Sequence, residues 1–93
     1  MSCQVKIPTP LRRHTQGAAQ VQVEGNQVGE ALAYLLGRFP AIGERLFDSH
    51  GQVKSHLIVY VNNEDIRVLN GLDTPLHDGD LMILLPALAG ADR

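Results

Sequence analysis

Cysteine occurs once in this sequence, at Cys3, so no disulfide can close within its 93 residues, and the composition fits a reducing compartment. With no matched base near it in sequence, that thiol is expected to be inert. Positive charge is just as thinly spread. No basic run is longer than Arg12-Arg13 and the formal net charge is -2, which argues against a general binder of nucleic acid or membrane surfaces, since both need concentrated cations. Arg12, Arg13 and His14 read as a solvated loop. No apolar run approaches the roughly 18 residues of a spanning helix, and Met1-Ser2-Cys3-Gln4 does not open like a secretory signal. A cytoplasmic protein with no nucleic-acid or membrane partner is expected.

Catalytic patterns are missing as well. His14, His50, His56 and His77 are scattered, with no two at the i, i+4 spacing of a helix and no cysteine set to complete a zinc site. There is no serine-centred nucleophile elbow and no P-loop, and Gly25, Gly37 and Gly43 are too dispersed to cradle a phosphate. Asp78 and Asp80 flank Gly79, where carboxylates bond turn backbone more readily than they act as an acid–base pair. No catalytic residue, metal site or permanently bound cofactor is therefore expected. Repeats, low-complexity tracts and linkers are absent too, and the length suits one domain.

What is present is periodicity. Residues 3–7 alternate, with Val5 and Ile7 on one side and Gln4 and Lys6 on the other, which predicts a half-buried strand ended by Pro8-Thr9-Pro10. Leu11 returns to the core, and residues 12–15 form a polar loop closed by Gly17. Residues 19–24 alternate again with Val21 and Val23 inward, making a hairpin with the first strand. Val28, Ala31, Leu32, Leu35, Leu36 and Phe39 then fall on one face of a 3.6-residue period, with Asn26 as N-cap, Glu30 in the first turn and Pro40 as the stop.

After a short helical turn over residues 41–46, with Ile42 and Leu46 available to the core, Asp48 to Gln52 read as a surface loop. Residues 57–61 form a strand rich in branched and aromatic side chains. Asn62-Asn63 turns the chain into a brief strand around Asp65, Ile66 and Arg67. Leu69, Leu72 and Leu76 are satellite core positions, and Asp78-Gly79-Asp80 delivers the chain to a last strand that Pro86 ends. Strand, strand, helix, strand, short strand, strand makes an α+β roll in which one main helix covers a mixed sheet of four to five strands. Joining the hairpin to the later strands through the helix gives the ubiquitin-like β-grasp arrangement, with the first and last strands parallel and central. The expected division is a β-grasp domain over residues 1–86 and a flexible tail over residues 87–93, small in side chains at Ala87, Ala89, Gly90 and Ala91.

These residues carry a resemblance over nearly the whole chain. Ile7-Pro8-Thr9-Pro10-Leu11-Arg12 with His14-Thr15, Glu44-Arg45-Leu46, Tyr60-Val61-Asn62-Asn63-Glu64-Asp65-Ile66-Arg67, Asp78-Gly79-Asp80 and Leu84-Leu85-Pro86-Ala87-Leu88-Ala89-Gly90 resemble, in order and spacing, the MoaD/ThiS family of ubiquitin-like sulfur carriers, and most of all its CysO branch. The resemblance implies that an E1-like enzyme adenylates the C-terminal glycine carboxylate with ATP, and that sulfur displaces AMP to leave a thiocarboxylate. That group passes to a sulfur-accepting enzyme, in the CysO branch a pyridoxal-phosphate (PLP) cysteine synthase, and a metalloprotease releases the cysteine adduct. Gly90 and Ala91 are then the expected attachment positions. Ile66 and Leu85 are candidates for an apolar docking patch, each equally readable as core, and Leu88 is a candidate anchor in a partner's channel.

One departure matters. The family ends in Gly-Gly, whereas here Gly90 is followed by Ala91, Asp92 and Arg93. An alanine methyl in a channel fitted to glycine costs roughly 1–3 kcal/mol by overpacking. Three resolutions follow: trimming after Gly90 or Ala91, loss of conjugation leaving a β-grasp interaction module, or a partner that tolerates the longer end.

Overall fold

Alternating sequence makes the sheet, and the sheet places the C-terminus. In the computed structural model, which describes residues 2–54 and 57–86, β1 (Ser2–Lys6) pairs antiparallel with β2 (Gln20–Glu24), Val5 opposite Val21. Cys3, Val5, Val21 and Val23 are all buried on the inner face. Five strands form in the order β2-β1-β5-β3-β4. β5 (Leu81–Pro86) runs parallel to β1, with Val5 opposite Met82, and antiparallel to β3 (Leu57–Val61), with Val59 opposite Leu84. β4 (Glu64–Asp65) returns from β3 through Asn62 and Asn63, whose φ angles of 49° and 75° give the left-handed pair that a two-residue hairpin needs. First and last strands are parallel neighbours inside the sheet, as the sequence led us to expect.

The helix α1 (Val28–Arg38) covers the inner face through Val28, Ala31, Leu32 and Leu35, all without solvent exposure, while Leu36 and Phe39 pack half-buried at its margin. A 3-10 turn (Pro40–Ile42) and the short α2 (Gly43–Leu46) add Ile42 and Leu46 to the same core. No helix among the described residues is long and apolar enough to cross a membrane.

Four details differ from the sequence reading, each for a local reason. Gln27, not Asn26, is the N-cap of α1, and it makes no side-chain cap. None is needed, because the Val28 N–H donates to the Thr74 carbonyl at 3.0 Å and the Glu30 Oε1 reaches back to the Asn26 N–H at 2.7 Å. Residues 12–15 belong to a 3-10 turn, Thr9–Thr15, rather than a loop, and Thr15 is buried. Its hydroxyl lies 3.2 Å from the Arg12 carbonyl and 3.1 Å from that of Ala18, which satisfies the buried oxygen. The strand after Asn63 ends at Asp65, because the Asp65 carboxylate accepts the Arg67 N–H at 2.9 Å and starts a 3-10 turn, Ile66–Val68. Leu69, where that turn breaks, is 37% exposed rather than a core satellite, while Leu76 is buried and Leu72 packs half-buried.

Candidate functional site

The site is built where β5 ends. One end of the sheet, at which β5 begins, is closed by hydrogen bonds. The Asp78 carboxylate accepts the Ser2 N–H at 2.8 Å, and Asp80 accepts the His77 N–H at 2.8 Å and the Asn62 side-chain amide at 2.9 Å. Asn62 in turn takes the Leu81 N–H at 3.0 Å, so the start of β5 is tied to β1, to the β3–β4 hairpin and to its own turn. Burial pushes the Asp80 carboxyl up, but the hydrogen bonds from Asn62 and His77 outweigh it and leave it below the ordinary value. Asp78 and Asp80 thus hold turn backbone, the role their spacing suggested.

At the other end the last described residue, Pro86, stands opposite Leu57, between the exit of β1 and the entry of β3. Successive side chains of a strand point to opposite faces, so the residues of β5 and β3 that avoid the core share the uncovered face. Leu85 stands opposite Ile58 and Ile83 opposite Tyr60, and Leu85 is 42% exposed. An apolar strip therefore runs along the face away from α1 and reaches the last described residues.

The docking candidates separate in space. Leu85 is on this open strip, whereas Ile66 is only 4% exposed and belongs to the core. Ile66 also lines a cleft of about 210 Å³ with Val53, Leu57, Val59 and Leu72. Leu88, Gly90 and Ala91 lie outside the described residues, as does His56. Ile58, Tyr60 and Ile83 were missed by the sequence reading, although a signal was present. Both strands are apolar at odd and even positions, which in a sheet covered on one face only leaves apolar side chains on the other. Cys3 lies inward, its Sγ 3.5 Å from the His77 carbonyl, and burial followed by the charge of Asp80 raises its pKa, as fits an unreactive thiol.

With this geometry established, a sequence model described as the ThiS family matches residues 5–90. The chain belongs to the ThiS family. The sulfur carrier protein CysO of Mycobacterium tuberculosis is 41% identical over 92 residues, covering 97% of this chain and 99% of that protein. The crystal structure of M. tuberculosis CysO superposes with a TM-score of 0.86 at 40% identity, over 91% of this chain and 98% of that one. The Amycolatopsis orientalis BexX/CysO complex also gives 0.86, at 38% identity and covering 91% and 94%. The ThiS-family resemblance, its CysO character and the ubiquitin-like β-grasp fold are thereby upheld. The M. tuberculosis relative is named as a sulfur carrier protein. In this ThiS-family chain the family match stops at Gly90, directly before the departure Ala91-Asp92-Arg93.

Proposed function

We propose that this ThiS-family chain is a sulfur carrier whose working group is the backbone carboxylate at or next to Gly90. The observation that carries the reading is the course of β5, which is bonded to a strand on each side and brings the chain to Pro86 at one end of the sheet, four residues before the point where the family match ends. Residues 1–86 act as the body and residues 87–93 as the presented tail. Glycine suits the tip, because a backbone without side chains can enter a narrow channel and approach a reacting group closely.

The chemistry belongs to partners. An E1-like enzyme brings the carboxylate against ATP; a carboxylate oxygen attacks the α-phosphorus, pyrophosphate leaves, and an acyl-adenylate forms. A sulfur nucleophile then displaces AMP and leaves the thiocarboxylate, which is delivered to an acceptor such as a PLP-dependent cysteine synthase. A protease removes the residues beyond Gly90 or Ala91 beforehand, and a metalloprotease releases the product. The carrier itself holds no permanent cofactor and works in the cytoplasm. The strip of Leu85, Ile58, Ile83 and Tyr60 is the docking face, with Leu88 as a tail anchor, and Ile66 supports this face from the core rather than touching the partner.

Intact-mass analysis of the protein from its own host tests this directly. The expected result is a chain ending at Gly90 or Ala91 with one carboxylate oxygen replaced by sulfur. ATP–pyrophosphate exchange with the host's adenylating enzyme, using chains that end at Gly90, Ala91 and Arg93, then finds the working terminus. The tail's departure from Gly-Gly favours a second reading, a β-grasp interaction module without conjugation. A full-length, unmodified chain under sulfur demand, inactive in exchange at all three termini, would establish it.

A further inference from the structure

The two edges of the sheet are protected unequally. On one side β4 is only two residues long and runs straight into the 3-10 turn Ile66–Val68, so it offers little for another strand to pair with. On the other side β2 presents five residues, Gln20–Glu24. Proteins commonly blunt an edge of that length with proline, lysine or a bulge. β2 has none of these. Its residues are Gln, Val, Gln, Val and Glu, and its pairing with β1 runs unbroken from Ser2 opposite Glu24 to Lys6 opposite Gln20.

One bond fixes which backbone groups face outward. The Ile7 N–H donates to the Ala19 carbonyl at 2.9 Å, and along an antiparallel pair the bonded residues alternate. Ala19, Val21 and Val23 therefore turn their N–H and C=O groups toward β1, while those of Gln20, Gln22 and Glu24 point off the edge. A single side chain from elsewhere in the fold reaches the middle of that outward row. The Nη1 of Arg38, on the last turn of α1, donates to the Gln22 carbonyl at 3.3 Å. The same guanidinium lies 5.4 Å from the centre of the Phe39 ring, a contact that favours this placement.

From this we infer that Arg38 closes the β2 edge to strand pairing, and that the partner which fits the opened edge is β2 of a second copy of this chain. An incoming strand needs the Gln22 carbonyl, and the guanidinium already holds it. The strand is complementary to itself. Paired antiparallel about Gln22, Gln20 of one copy meets Glu24 of the other, Gln22 meets Gln22, and Val21 meets Val23 on the face toward α1. No like charges stand opposite each other, and every outward backbone group of the row gains a partner. The inference goes beyond the sulfur-carrier reading and does not depend on it, since β1 separates this edge from β5 and its open strip.

Sedimentation velocity of the full chain from about 10 to about 500 µM reads the pairing. Arg38→Ala and Arg38→Glu both remove the donor, so a folding defect in one leaves the other to decide. Each should self-associate at least about tenfold more tightly than the parent. Adding Gln22→Lys to R38A, or instead adding Gln22→Glu, sets like charges face to face and should return the chain to parental behaviour. Mixing those two double variants sets opposite charges face to face and should restore the pair. Amide hydrogen exchange should show Gln20, Gln22 and Glu24 protected in the associated chains and unprotected in the parent. Parental behaviour in both Arg38 variants would overturn the inference. So would association indifferent to the charge at position 22, which would assign it to the uncovered Phe39 ring, or a parent chain that already pairs through β2 with Arg38 in place.

Discussion

The two ends of the sheet are finished in opposite ways, one by hydrogen-bonded turns and the other by an open apolar strip. Where β5 begins, Asp78 and Asp80 each hold a backbone N–H, and His77 lies 3.8 Å from Asp80. Where β5 stops, Leu85 is 42% exposed and continues the apolar strip of Ile58, Tyr60 and Ile83. One end is satisfied internally and fixes the register of the strand. The other leaves an apolar strip uncovered. A carrier needs both, because a presented terminus is useful only if the strand behind it does not slip.

Glycine substitutions should break this comparison most strongly. A Cβ at Gly25, beside the closed end, would lie 2.7 Å from the Ala31 backbone nitrogen, whereas one at Gly37, on the last turn of α1, would meet nothing within 4 Å. Gly25→Ala should therefore destabilise by about 1–3 kcal/mol through overpacking. Gly37→Ala should stabilise by about 0.5–1 kcal/mol through helix propensity. Urea denaturation of both variants reads the difference in sign.

Leu85→Ser sharpens the other side of the comparison. Its urea midpoint should move little, within about 0.5 kcal/mol, because the side chain is already exposed. Affinity for the adenylating enzyme should fall about tenfold if the open strip is the docking face, measured by calorimetric titration. An unchanged Kd with full exchange activity would move the docking face elsewhere.

The smallest effect concerns pH. Asp80 has its carboxyl pKa lowered in the folded state, so its contribution to stability is present above its unfolded value, near 3.8, and is lost as pH falls through the lower folded value. Asp80→Asn should remove about 1 kcal/mol at neutral pH and less in acid, giving a flatter acid limb in thermal melts. The same substitution should leave association with the partner unchanged, since it lies at the closed end.

Much of this molecule was readable from its residues. Alternation at Val5 and Ile7 and at Val21 and Val23, and the helical stripe from Val28 to Phe39, fixed both element type and core face, because an apolar period has only one way to be buried. Asp78-Gly79-Asp80 announced its turn in the same way. Short polar segments were less legible. The 3-10 turn over Thr9–Thr15 and the burial of Thr15 depend on carbonyls that only the folded chain brings to the hydroxyl. Ile66 and Leu85 looked alike in sequence and proved opposite in exposure, since neither periodicity nor composition says which face of a two-sided apolar sheet remains uncovered.

By itself the sequence determined the strands, the helix, the β-grasp order and the membership of the ThiS family, because each is written in local spacing and in motifs of adjacent residues. Only the tertiary structure decided that Leu85 joins Ile58, Tyr60 and Ile83 on an open strip, and that Ile66 is buried in the core. Those properties arise from strand order and direction, which bring together residues far apart along the chain, and no local pattern encodes them.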